Sequence, residues 1–225
     1  MELERKKGFD KYTARGNQNW KEMTSRNVRV FNAYQQARYD WILKIAGDID
    51  GKRVLDIGCG GGSLTYLLAK AGGRVTGAEQ DEIGLHYAKE NLAGADPRNK
   101  LHYTFVNASA YQLPLESEHF DLVVSCEVIE HLNEPEKMLI EARRVLKKGG
   151  KMIVTTPHRL TEFPQDLNHV KEYFPEELRG IMEKYFTDVG IKLTHHMLWR
   201  SLYAHSFRFF GNRPLGKWLV NMFTL

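Results

Sequence analysis

Two short stretches of this chain carry side chains that could do chemistry together. The first is Glu127-Val128-Ile129-Glu130-His131, with a later His169 inside Asn168-His169-Val170-Lys171-Glu172-Tyr173-Phe174. If the first stretch turns as a helix, residues at i, i+3 and i+4 share a face, so Glu127, Glu130 and His131 converge. Two carboxylates and an imidazole on one face are costly without a counter-charge. A divalent cation would supply it, with His169 as a fourth donor. Such mixed donors suit Mn, Fe, Co or Zn better than Mg. Without a metal, His131 or His169 can act as a general base beside Glu130, and a histidine at such a place can also simply pack. His158 is a further base candidate but reads as a loop residue, and His195-His196 as part of a strand and its surface.

The second stretch is Arg53-Val54-Leu55-Asp56-Ile57-Gly58-Cys59-Gly60-Gly61-Gly62, followed by Ser63-Leu64-Thr65-Tyr66-Leu67-Leu68-Ala69. An apolar run of this kind predicts a buried strand, and the leucines after it recur at helical spacing. A strand that turns through glycines into a helix start offers free backbone N–H groups to a ligand and lets it approach closely. A dinucleotide fingerprint needs Gly-x-Gly-x-x-Gly, and from Gly58 its third position is Ser63. Asp56 at the strand end would repel a pyrophosphate but hold an ammonium. The expected ligand is nucleotide-like and free of phosphate.

The pattern Asp56-x-Gly58-x-Gly60-x-Gly62 resembles the first motif of the class I S-adenosylmethionine (SAM)-dependent methyltransferases. That resemblance implies SAM as cofactor, S-adenosylhomocysteine as product, and Gly58, Cys59, Gly60 and Gly62 as loop contacts. Glu79, followed by Gln80, ends the next strand 23 residues after Asp56, near the ~20 at which nucleotide folds place a ribose-binding acid. After the third strand comes Asn107-Ala108-Ser109. Methyltransferases usually carry an acid there for the adenine amino group, and the Asn107 amide oxygen can accept the same hydrogen bond. The backbone N–H groups of Ala108 and Ser109 are candidates for the ring, and Cys126 lies beside the loop that follows the fourth strand.

Glu-x-x-Glu-His with a later histidine is similar to two methyltransferase groups, the ubiquinone-biosynthesis O-methyltransferases and the small-RNA 2′-O-methyltransferases. The latter bind a divalent metal with this set. The likeness to the ubiquinone group runs from about Arg38 to Leu178. It implies that Arg38 holds the SAM carboxylate, a role that suits a planar two-pronged donor; the alternative for Arg38 is a solvated helix face.

These residues need a scaffold. Residues 1–26 are polar and read as a loose arm, and apolar spacing predicts a helix over 27–46. Strands follow at Arg53–Ile57, Arg74–Ala78, Leu101–Val106, Phe120–Cys126 and Lys151–Thr156. Helices are expected at 82–93, capped by Asp81, and from Pro135 to about Leu146, closed by Gly149-Gly150. This alternation implies an α/β fold with a doubly wound, mostly parallel sheet, seven-stranded by the resemblance. Asp56, Glu79, Asn107 and Glu127 all fall at the carboxyl ends of strands, where such sheets bind ligands. One domain spans 1–225: an arm and helix over 1–46, a SAM-binding core over 47–156, and an acceptor-side segment with the last strands over 157–225.

Charged residues make up 27% of the chain and apolar residues 42%, an ordinary globular composition. No apolar run approaches the ~20 residues that span a bilayer. The polar start and the two cysteines, not spaced as a disulfide frame, predict a cytoplasmic setting. From Val189 onward there are five Lys or Arg and no acid, among seven aromatic residues. The plainer reading is an edge strand and helix covering the substrate pocket; contact with an anionic membrane surface is the alternative.

The sequence therefore predicts a methyltransferase acting on a small hydroxyl or phenolic acceptor. Metal-free N- or C-methylation, RNA methylation and a catalytically silent SAM-binding domain are the competing readings. No recognisable RNA-binding module accompanies the basic tail, which weighs against a nucleic-acid partner.

Overall fold

The computed structural model describes residue 12 and residues 16–27, 30–159, 166 and 168–194. Its centre is a sheet of five parallel strands: β1 (Arg53–Ile57), β2 (Arg74–Glu79), β3 (Tyr103–Asn107), β4 (Phe120–Cys126) and β5 (Leu146–Thr155), in the order β3-β2-β1-β4-β5. The order reverses between β1 and β4. Ligands in such sheets bind beyond the carboxyl ends at that reversal, where both chemical stretches of the sequence lie. The expected seven strands are five among the described residues; His195, His196 and the tail beyond them lie outside those residues.

Strand alternation sorts the core into two layers. Leu55, Ile57 and Val123 face α5 (Pro135–Val145) and α6 (Pro175–Met182), packing with Met138, Leu139 and Val145. Val54, Leu122, Val124 and Ile153 face the other way, onto Ile42 of α2 (Ala33–Ala46) and Leu64 and Leu68 of α3 (Ser63–Lys70). The helix α4 (Glu82–Ala95) starts on Asp81, whose carboxylate accepts the Ile83 and Gly84 N–H groups at 2.9 Å.

Three expectations need correction. The arm is not loose throughout: Gln18–Thr24 form a helix, α1, whose Met23 is buried and whose Trp20 stacks edge-on to Tyr66 with ring centroids 5.4 Å apart. The helix predicted from residue 27 begins at Ala33, because Asn32 caps it by accepting the Gln35 N–H. Finally, Gly149-Gly150 do not close α5. Leu146 enters β5 directly, and a register irregularity between Phe120 and Leu122 lets the two glycines pass within the strand.

Candidate active site

The loop between β1 and α3 is bound in place from both sides. Gly62 caps α3 at φ +81°, and a Cβ there would lie 2.7 Å from Leu92 Cδ1 and 3.2 Å from the Ala88 backbone. Only glycine lets the loop rest against α4 in this way. A Cβ on Gly58 would run into Val128. Asn91 of α4 donates to the Gly61 carbonyl at 2.8 Å, and exchanges two amide hydrogen bonds with Asn17, just before α1. The N-terminal segment is thus clasped to the loop.

Asp56 lies beneath this loop, 1% exposed, and accepts the Thr65 hydroxyl at 2.7 Å. Burial pushes its pKa up to about 7. The sequence reading placed Asp56 facing an ammonium; the structure also makes it an anchor for the first turn of α3. Glu79 accepts the Gly60 N–H and the Asp81 N–H, each at 2.9 Å, so the acid at the end of β2 joins the glycine loop to the start of α4. Asn107 pairs in register with Glu79 and donates its amide N–H to the Glu79 and Gln80 carbonyls at 3.1 Å. That orients its amide so that the oxygen remains as an acceptor, as an adenine amino group requires. The Ala108 N–H donates to the Glu79 carbonyl at 3.0 Å; that donor is spent within the sheet and is not offered to a ring. Burial holds the Cys59 thiol well above its ordinary pKa and lifts the Cys126 thiol to about 12, so both remain protonated.

After β4 the chain departs from the expected helix. Glu127 takes a left-handed φ of +57°, and only Ile129–His131 form a turn, of the 3-10 kind. The i, i+3, i+4 geometry therefore does not form, and Glu127 leaves the set. Its carboxylate pairs with Arg38 at 3.0 Å and accepts the Thr155 hydroxyl at 3.1 Å. Glu130 accepts the hydroxyl of the next residue, Thr156, at 3.1 Å. Thr155, the last residue of β5, shares the face of Ile153 toward α2, and Thr156 follows it just past the strand end. Arg38, placed by resemblance at the SAM carboxylate, sits on α2 at this same end of the sheet, locked to Glu127.

Glu130, His131 and His169 do converge, each offering a ligand atom within 4.8 Å of the others. The imidazole rings stand T-shaped with centroids 5.0 Å apart. His131 Nδ1 lies 3.2 Å from the Asn168 carbonyl oxygen and His169 Nδ1 lies 2.8 Å from the Glu172 carboxylate. Both partners are acceptors, so each Nδ1 is placed to donate, and a neutral ring in that arrangement presents Nε2 as its ligand atom. Glu130 is fully buried, and its Oε1 has no hydrogen-bond partner. Burial, with Glu127 nearby, pushes its pKa up to about 8. A buried oxygen without a donor beside two imidazole lone pairs is a donor set that fits a divalent cation. The Val170 and Lys171 N–H groups both donate to the Glu130 carbonyl, which joins the His169 segment to the turn after β4.

Thr65, Thr155, Thr156 and Glu172 were not foreseen. The hydroxyls of Thr-Thr-Pro at a strand end, and a glutamate three residues after His169, are the signals that were present.

Residues 55–154 match the methyltransferase domain family. The chain is 31% identical to a ubiquinone biosynthesis O-methyltransferase of Bordetella avium over 151 residues, covering 67% of this chain and 61% of that one. It is 33% identical to the protein of the same name from Aromatoleum aromaticum over 140 residues, 62% and 58% of the two chains. It therefore spans about three fifths of these relatives' length. A SAM-dependent methyltransferase of known structure from Aquifex aeolicus superposes with a TM-score of 0.58 at 24% identity, over 68% of this chain and 81% of that one, a likeness of fold. The domain match, the sheet and its glycine loop agree: residues 55–154 of this chain are a methyltransferase domain.

Proposed function

We propose that the chain transfers the methyl group of SAM to a hydroxyl oxygen of a small acceptor, with a divalent cation assisting on the acceptor side. The observation that carries the reading is the donor set of Glu130, His131 and His169, with its fully buried, unpartnered Glu130 oxygen. The relatives named as O-methyltransferases support an oxygen acceptor.

Bound SAM supplies a methyl group already activated on a sulfonium. The glycine loop, Glu79 and Asn107 would hold it at the reversal of strand order, with Arg38 and Asp56 at the same sheet edge. What remains is to align the acceptor oxygen in line with the methyl and to exclude water. Glu130, His131 and His169 would hold the cation, which lowers the hydroxyl's pKa as a Lewis acid. The new O–CH3 bond would form as the S–CH3 bond breaks, with the acceptor's proton released to solvent, since the imidazole nitrogens would be taken up by the cation.

A second reading keeps the same residues without a metal. It is favoured by Glu130 itself: with its pKa pushed up to about 8, it is protonated at neutral pH and needs no counter-charge. His131 or His169 is then a plain general base, and nitrogen and carbon nucleophiles return as acceptors.

Titration calorimetry with SAM, before and after chelation and with Mn, Co, Zn or Mg restored, separates the two. Bound metal that is lost in Glu130→Ala, with SAM affinity retained, supports the metal-assisted reading. SAM binding with no metal under any condition overturns it in favour of the second.

A further inference from the structure

Gly84 has no backbone need to be glycine. It lies in the first turn of α4 without a positive φ, and glycine in a helix is less stable than alanine. Its space is taken by Tyr12. A Cβ on Gly84 would lie 2.6 Å from the Tyr12 Cζ and 2.7 Å from its Cε2 and hydroxyl. The same hydroxyl would lie 2.8 Å from a Cβ on Gly60, in the loop between β1 and α3. Two glycines far apart in sequence therefore form a slot for one phenol. The ring is 9% exposed and is backed by Tyr87, with centroids 6.2 Å apart.

The slot borders the glycine loop expected to meet the nucleotide. Gly60 gives its N–H to Glu79, which also accepts the Asp81 N–H. The phenol and the expected ribose-side carboxylate thus meet at the same loop residue. A tyrosine suits such a place because its ring covers apolar ligand surface while its hydroxyl reaches a polar edge.

We propose that Tyr12 is a cofactor-contacting residue: its ring walls the SAM pocket at Gly60, its hydroxyl hydrogen-bonds the polar part of the ligand beside Glu79, and Gly84 is glycine to seat it. This rests on the SAM reading of the loop.

The test is a double-mutant cycle on the full chain, read by titration calorimetry with S-adenosylhomocysteine and by thermal melts without ligand. Tyr12→Phe removes one hydrogen bond and should weaken binding by about 3- to 10-fold. Tyr12→Ala should weaken it by more than ~10-fold, and Gly84→Ala comparably, because its methyl evicts the ring. With the ring gone, Gly84→Ala has nothing to displace. Tyr12→Ala/Gly84→Ala should then bind no more weakly than Tyr12→Ala, and melt at a higher temperature because the helix gains an alanine. Wild-type affinity in Tyr12→Phe and Tyr12→Ala, or additive losses in the double variant, overturns the proposal. Should Tyr12→Ala fail to fold, Tyr12→Phe against wild type still decides. A wild-type chain that binds no S-adenosylhomocysteine removes the cofactor reading as well, an outcome distinct from the others.

Discussion

His169 Nδ1 lies 2.8 Å from a carboxylate oxygen of Glu172, and Glu172 is 1% exposed. A carboxylate so placed favours the Nδ1–H tautomer of the imidazole and fixes the orientation of its ring. Glu172→Gln keeps an oxygen that can accept the Nδ1–H, so it should retain most activity. Glu172→Leu should lower kcat by about 10- to 100-fold with the affinity for SAM unchanged. Steady-state kinetics beside calorimetry checks this; equal loss of turnover and SAM binding would point to a general packing defect.

Glu127 and Glu130 are separable. Because Glu127 is occupied by Arg38 and Thr155, Glu127→Gln should retain bound metal. Glu130→Gln should lower metal affinity by more than ~10-fold. Metal analysis after desalting distinguishes them, and loss in both variants would restore the four-donor set read from the sequence.

Two buried acids set a pH dependence. Asp56 rises from 3.8 to about 7 and Glu130 from 4.5 to about 8, both chiefly through burial. The folded state then binds more protons than the unfolded one between those values, so stability is present in full below pH ~4 and is lost as the pH rises toward ~8. Thermal melts in chelator should show the melting temperature falling from pH 5 to pH 8.5. Asp56→Asn and Glu130→Gln should each flatten that slope; a slope unchanged in both variants would exclude these acids as its source.

Two glycines, one within α4 and one packed against it, should behave in opposite ways. A Cβ on Gly94, in α4, meets nothing within 4 Å, so Gly94→Ala should stabilise the fold by about 0.5–1 kcal/mol. Gly62→Ala places a methyl on Leu92 and Ala88 at a left-handed φ, and should cost about 1–3 kcal/mol. Denaturant unfolding of the two variants compares them directly, and like signs would be the wrong outcome.

The strands were legible because four of the five carry apolar, β-branched runs between glycine or polar breaks, and the glycine loop because its chemistry is local. The turn after β4 was not. Helical spacing brought Glu127, Glu130 and His131 together on paper, yet a left-handed Glu127 breaks that face, and no side chain in the stretch announces it. Nor was the role of Glu172 visible, since its partner is set by how the segment after β5 folds back on Glu130. Thr155 and Thr156 read only as strand residues until β5 was seen to end between the two carboxylates. The expected start of β5 at Lys151 erred because glycines were read as a helix stop, whereas the paired strand tolerates them as an irregularity.

The two threonines at the end of β5 have a consequence for retargeting the enzyme. Adjacent residues here answer to different neighbours: Thr155 meets Glu127, which pairs with Arg38, and Thr156 meets Glu130. On the proposed assignment, a library that randomises positions after 156 except His169 and Glu172, while holding everything through 156, should yield many chains with intact cofactor binding and altered acceptor choice.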